Sequence, residues 1–170
     1  MKTTPSGRVI RTAEGRDLVI VRTFRAPIED VWASITESER TARWWGSWTG
    51  DPGPGRTIMV TLTFEPGAKP TPMMIETCEP PEHLAVRSMS DYGDFRLEAQ
   101  LSESDGVTEL RFIHHLDDAM NVGDFGPGWE FYLDNLVASR SGGALPDFND
   151  YYPSQKEYYL EQADGESPAA

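Results

Sequence analysis

The spacing of hydrophobic positions changes period several times along this chain. Asp17 to Phe24 (DLVIVRTF) forms an apolar strand, and Gly7 to Arg11 can pair back on it as an edge strand through the AEGR turn. Ile28, Val31, Trp32 and Ile35 then fall at helical spacing. Pro27 is placed for the first helical position, and Glu29 and Asp30 for the favoured acidic first turn. Thr36 and Glu39 form a T-x-x-E pattern that predicts a capped second helix ending near Trp44. From Gly55 the period is two: Ile58, Val60, Leu62 and Phe64 alternate with Thr57, Met59, Thr61 and Thr63. Met73–Cys78 follows the GAKP turn, Pro80 and Pro81 break the ladder, and Leu84–Ser88 reads as a short strand. Phe95, Leu97, Ala99 and Leu101 alternate next, then Leu110, Phe112, His114 and Leu116. After Gly126-Pro127-Gly128 the period becomes helical again. Trp129, Tyr132, Leu133, Leu136 and Val137 lie opposite Glu130, Asp134, Asn135 and Ala138, and Gly142-Gly143 supplies a stop.

The order strand, two short helices, five strands, long helix predicts an α+β fold. A curved antiparallel sheet of about six strands, with residues 7–11 as an extra edge, must bury one apolar face against the single long helix. A helix ~10 Å wide cannot cover six strands, so the remaining space is either filled by side chains or left as a cavity. The expected division is an N-terminal arm over 1–16, the sheet-and-helix domain over 17–141, and an extension over 142–170. That extension carries Phe148, Tyr151, Tyr152, Tyr158, Tyr159 and Leu160, aromatics suited to docking on its own body or on a second copy in a homodimer. Pro153 is placed to start a short helix to about Gln162, and the closing DGESPAA is expected to be disordered.

A formal charge of −13 argues against nucleic acid and against an anionic membrane surface, since both need clustered Lys and Arg. The single cysteine, Cys78, cannot close an internal disulfide and reads as a small apolar strand residue. The N-terminal MKTTPSGRVIRT lacks the apolar run of a secretory signal, and no stretch approaches the ~20 apolar residues of a membrane span. A cytoplasmic protein without membrane insertion is the expectation.

His114 is the candidate catalytic residue, because alternation puts its imidazole on the apolar face with Leu110 and Phe112. The competing role is a hydrogen-bonded core histidine; an enzymatic role also requires an inward acid or Arg87. His114-His115-x-Asp117-Asp118 invites a metal, but neighbouring strand residues point to opposite faces, so no metal site is expected. Trp44, Trp45 and Trp48 either wall a pocket mouth or seal a helix–sheet seam. Gly123, Gly126 and Gly128 lack the order of a phosphate loop and read as a flexible lead into the long helix, whose free N–H groups could meet an anionic end of a ligand. The Gly50–Gly55 loop is placed as a mobile lid. Nucleophile-elbow, zinc and Walker patterns are missing, and no cofactor is expected.

FRAPIEDVWASITESERTARWW, PPEHL, TELRFIHHL and GPGWEFYLDNL, in this order, resemble the SRPBCC superfamily of START-like, birch-pollen-allergen-like helix-grip proteins. The chain is most similar to the branch named after homologues of the activator of heat-shock protein 90 ATPase. The likeness covers Asp17 to Arg140 and implies a hydrophobic pocket between sheet and last helix, used in the superfamily for lipids, polyketides and hormones. Mapped here, the pocket draws on Trp44, Trp45 and Trp48, on Val60 and Leu62, on Met73 and Ile75, and on Val86. It continues over Phe95, Leu97, Phe112 and His114 to Trp129, Tyr132, Leu133 and Leu136 of the helix. The expected function is binding of a small hydrophobic molecule. The alternatives are a cyclase- or hydrolase-like enzyme and a co-chaperone-like interaction module, the latter lacking room for the activator's extra N-terminal domain.

Overall fold

The computed structural model describes residues 3–90 and 93–165. Eight strands form one antiparallel sheet: β1 (Arg8–Thr12), β2 (Gly15–Phe24), β3 (Gly46–Thr49), β4 (Thr57–Leu62), β5 (Thr71–Glu79), β6 (His83–Ser90), β7 (Gly93–Ser104) and β8 (Val107–Leu116). Helices α1 (Ile28–Thr36) and α2 (Ser38–Thr41) follow β2. The long helix α3 (Val122–Ser141) follows β8, and α4 (Lys156–Gly165) ends the fold. The strand order is β1-β2-β8-β7-β6-β5-β4-β3, so β2 is carried past the meander to pair with the last strand. This is the helix-grip architecture that the alternating apolar positions demand.

Four local expectations are corrected. Thr36 does not cap α2: its hydroxyl donates back to the Trp32 carbonyl at 2.7 Å, Glu37 takes the cap position without a side-chain bond, and α2 is a single turn ending at Thr41. Residues 46–49, for which the apolar pattern predicts no strand, form the edge strand β3, with Trp48 opposite Val60. Phe64 lies beyond the end of β4. The long helix starts at Val122, capped by the Asn121 side chain, and holds Pro127 inside it. Gly126–Gly128 is therefore helix rather than lead-in, and no helix N-terminus lies there for an anion to meet.

The far side of α3 is a further correction. Glu130 and Asn135, placed by periodicity on a solvated face, are buried, whereas Val137 is exposed. Asn135 is enclosed on the α2 side, where its amide donates to the Trp44 carbonyl at 3.3 Å, and Glu130 is covered by the chain's own extension. Tyr159 of α4 is fully buried against α3, its ring lying over Gly126, and its hydroxyl donates to Glu130. Glu130 also accepts from the Ser6 and Gly7 amides at 2.6 and 2.8 Å and from Arg22 at 2.7 Å. Burial raises the cost of its charge, and these donors outweigh that cost and hold its carboxyl below the ordinary range. The helix expected from Pro153 begins at Lys156 instead. Of the terminal stretch expected to be disordered, 164 and 165 close α4, and 166–170 lie outside the described residues.

Candidate functional site

Strand alternation gives the sheet one inner apolar face, and register aligns it into rows. Leu18, His114, Leu97, Val86 and Ile75 stand directly across from one another on β2, β8, β7, β6 and β5. At ~4.8 Å per strand, His114 and Ile75 are ~14 Å apart, more than α3 can span. The core divides accordingly. One cluster joins β2, β7 and β8 to α1 and α3 through Ile20, Phe112, Leu133 and Leu136; a second gathers Ile58, Val60, Met73 and Ile75 on β4 and β5. Trp45 and Val86 touch both clusters and are only partly buried. Between the clusters runs a seam whose flanks carry half-buried Trp45, Trp48, Leu62, Phe95, Trp129 and Tyr132.

His114 lies beside this seam and is completely buried. Its Nδ1 accepts from the Trp129 indole N–H at 3.0 Å. Phe95 stacks on the ring at 5.5 Å, and Phe125 meets it edge-on at 5.3 Å. Burial, followed by the neighbouring charge of His115, pushes its pKa down to about 4. Trp129 in turn packs on Phe112 with ring centres 4.4 Å apart. Over the α3 side, the segment after β4 reaches across: Phe64 meets Phe131 edge-on, and the Tyr132 hydroxyl donates to Glu65 at 2.9 Å.

The three tryptophans of the RTARWWGSW segment have different positions. Trp44 is buried and donates to the Ser34 carbonyl at 2.9 Å, sealing α1 to the core. Trp48 donates to the Thr36 carbonyl at 3.0 Å, and Trp45 stands at the seam. Leu133 and Leu136 are buried deep in the first cluster. Arg87, weighed as an inward partner for His114, is on the opposite face: Val86 takes the inner position, and Arg87 makes a bidentate pair with Asp94. The Gly50–Gly55 loop is tied to β5 by the Gly55 amide on the Ile75 carbonyl at 2.7 Å. Cys78 is half-buried on β5, and burial pushes its thiol up.

Sequence reasoning missed a polar cluster on the outer face. His115, one residue beyond His114, points outward and bridges Asp17 on β2 (2.7 Å) and Glu98 on β7. His83 of β6 joins the same Glu98 at 2.8 Å. The two histidines thus face opposite sides of the sheet, as alternation requires, and no metal-ligating cluster occurs among the described residues. Burial opposes the His115 charge, but Glu98 and Asp17 outweigh it and raise its pKa. The outward parity of His115 was legible; the partners depend on register.

Residues 25–139 match the family described as Activator of Hsp90 ATPase homolog 1-like protein. No curated protein matches the chain. Among solved structures, CalU16 from Micromonospora echinospora is 24% identical, with a TM-score of 0.78, over 95% of this chain and 99% of that one. The protein of unknown function EF2215 from Enterococcus faecalis is 17% identical, with a TM-score of 0.71, over 94% and 91%. DynU16, from the dynemicin biosynthetic locus, is 18% identical, with a TM-score of 0.67, over 81% of this chain and 50% of that one. At these identities the structures share the fold. With the family match running from α1 through most of α3, the chain belongs to the Activator of Hsp90 ATPase homolog 1-like proteins, a family of the SRPBCC, helix-grip type.

Proposed function

We propose that the protein binds a small, largely hydrophobic molecule in the seam between α3 and the β3–β6 half of the sheet. One observation carries this reading: the inner apolar face is wider than the helix that covers it, and the half-buried side chains along that mismatch are aromatic or aliphatic. Trp48, Val60, Leu62, Met73, Ile75 and Val86, with Phe95 of β7, form the sheet wall, Trp45 before β3 its end, and Trp129 and Tyr132 the helix side. The family fold is consistent with this use, and the DynU16 neighbour, from a biosynthetic locus, directs the ligand search toward small biosynthetic products. Binding is favoured over turnover because the ring neighbours of His114 are aromatic and Arg87 faces away. In this reading the protein works in the cytoplasm; no helix among the described residues is long and apolar enough to cross a membrane.

Native mass spectrometry of freshly purified protein tests the proposal directly, with a mass increment above the bare chain as the expected result. A parallel melting screen with fatty acids and fused-ring aromatics should find a ligand that, at a hundred times its Kd, adds about 2.7 kcal/mol of stability. That corresponds to roughly 5–10 °C for a chain of this size. No retained molecule and no stabilising compound would overturn it.

A further inference from the structure

His114 holds an unpaired hydrogen-bonding atom inside an apolar wall. Its Nε2 is buried and has no partner among the described residues. The protonation of that atom follows from the other side of the ring. Indole N–H can only donate, so the Trp129 bond at 3.0 Å requires an unprotonated Nδ1. At neutral pH the imidazole is uncharged, held so by burial. Its one ring proton therefore sits on Nε2. Phe95 and Phe125, the other rings packed on it, offer no acceptor oxygen or nitrogen. A buried donor of this kind is costly to leave unmet, and native proteins rarely do so without a functional reason.

We infer that His114 presents a fixed Nε2–H donor to the seam, and that the ligand carries a neutral carbonyl-type oxygen (ketone, quinone or ester) that accepts from it. This rests on the reading of the seam as a ligand site. The oxygen is neutral because a carboxylate here would need a compensating cation, and the rings touching His114 are aromatic. Trp129 is a positioning residue in this scheme: it touches the apolar ligand as wall and fixes the tautomer through Nδ1. An apolar molecule of the same shape without the oxygen leaves the donor unpaired and is discriminated against.

Two matched pairs test this on the intact chain: 1-indanone against indane, and 9-fluorenone against fluorene, each titrated by tryptophan fluorescence. The ketone of at least one pair should bind about tenfold tighter than its hydrocarbon, the preference expected when a buried donor gains its partner. That ratio should fall to near one in His114→Phe, which keeps a ring but no donor, and should shrink in Trp129→Phe, which releases the tautomer. Nitrogen-15 imidazole shifts of ligand-free wild type should report the Nε2–H form. Equal binding of ketone and hydrocarbon overturns the His114 assignment and leaves the seam standing, with water as the donor's partner. Binding of none of the four compounds overturns the carbonyl assignment, while the seam itself stands or falls on the mass-spectrometric and melting tests. An Nδ1–H tautomer overturns the assignment whatever binds, without relying on a folded variant.

Discussion

The ring of Tyr159 lies over the Cα of Gly126, so closely that a Cβ added there would overlap the ring. This contact joins the C-terminal extension to the middle of the fold. Alanine in a helix is normally favoured over glycine by up to about 1 kcal/mol. Here the ring is enclosed and cannot slide aside, so Gly126→Ala should destabilise by about 1–3 kcal/mol, the range of overpacked cores. Urea denaturation, with limited proteolysis of residues after 142, checks both sign and location.

Glu130 is a buried carboxylate bonded from several parts of the chain, and its substitution should be expensive. Glu130→Ala leaves the Ser6 amide and the Tyr159 hydroxyl without their acceptor, takes one of two acceptors from the Gly7 amide, and takes from Arg22 one of its two carboxylates, Asp134 remaining at 3.0 Å. Breaking one side of a buried ion pair costs about 3–5 kcal/mol. Tyr159→Phe, which removes the bond to Glu130 and the one accepted from the Gly7 amide, should cost about 1–2 kcal/mol. A double-mutant cycle between the two should show strong coupling.

The two adjacent histidines should give opposite pH signatures. His114 has its folded pKa depressed to about 4, below the unfolded value of about 6.5. Between those values the unfolded chain binds the extra proton, so stability falls as pH drops through this window, by about 3 kcal/mol in total. His115 is raised by Glu98 and Asp17, so its contribution is full below the unfolded pKa and lost as pH rises through the folded one. Stability curves from pH 4 to 8 should flatten on the acid side in His114→Phe and on the neutral-to-alkaline side in His115→Gln. Identical curves for both variants would contradict these assignments.

On the proposed ligand reading, the segment after β4 is the gate of the seam. Phe64 meets Phe131 edge-on with ring centres 6.4 Å apart, and Tyr132 bonds Glu65 on the exposed side. Burial and the adjacent Glu65 carboxylate both push the Tyr132 phenol up, so it stays a protonated donor at neutral pH. Phe64→Ala should cost under about 1.5 kcal/mol of stability, because the ring sits at the rim. It should speed release of a seam ligand several-fold, measured by stopped-flow displacement.

Much of the sheet was legible because period-two alternation survives in β4, β7 and β8, and each of these strands buries the face it advertises. The inward placement of His114 and the outward placement of His115 follow from the same parity. Other features depended on distant partners. Glu130 looks like a solvated helix position until α4 is laid on it, and Asn135 until its side chain meets the Trp44 carbonyl; the buried carboxylate needs Ser6–Gly7, Arg22 and Tyr159 to meet from three places in the chain. Pro127 suggested a helix start, but tertiary contact overrides its missing donor. The four residues of β3 are too few to show a period. Trp44, Trp45 and Trp48 could not be told apart by composition, since their different exposures come from how α2 turns into β3.

Pro127 also has a mechanical consequence. With no amide hydrogen to give, it cannot close the helical bond to Gly123, so the opening turn of α3 is weakly braced by its own backbone. Bracing comes instead from outside: Leu160 packs against Gly123, and Tyr159 against Gly126. That same turn carries Phe125, the ring set edge-on to His114. The tail thus works as a splint on the roof of the seam, and the last helix of the chain governs how firmly a histidine from the central sheet is enclosed.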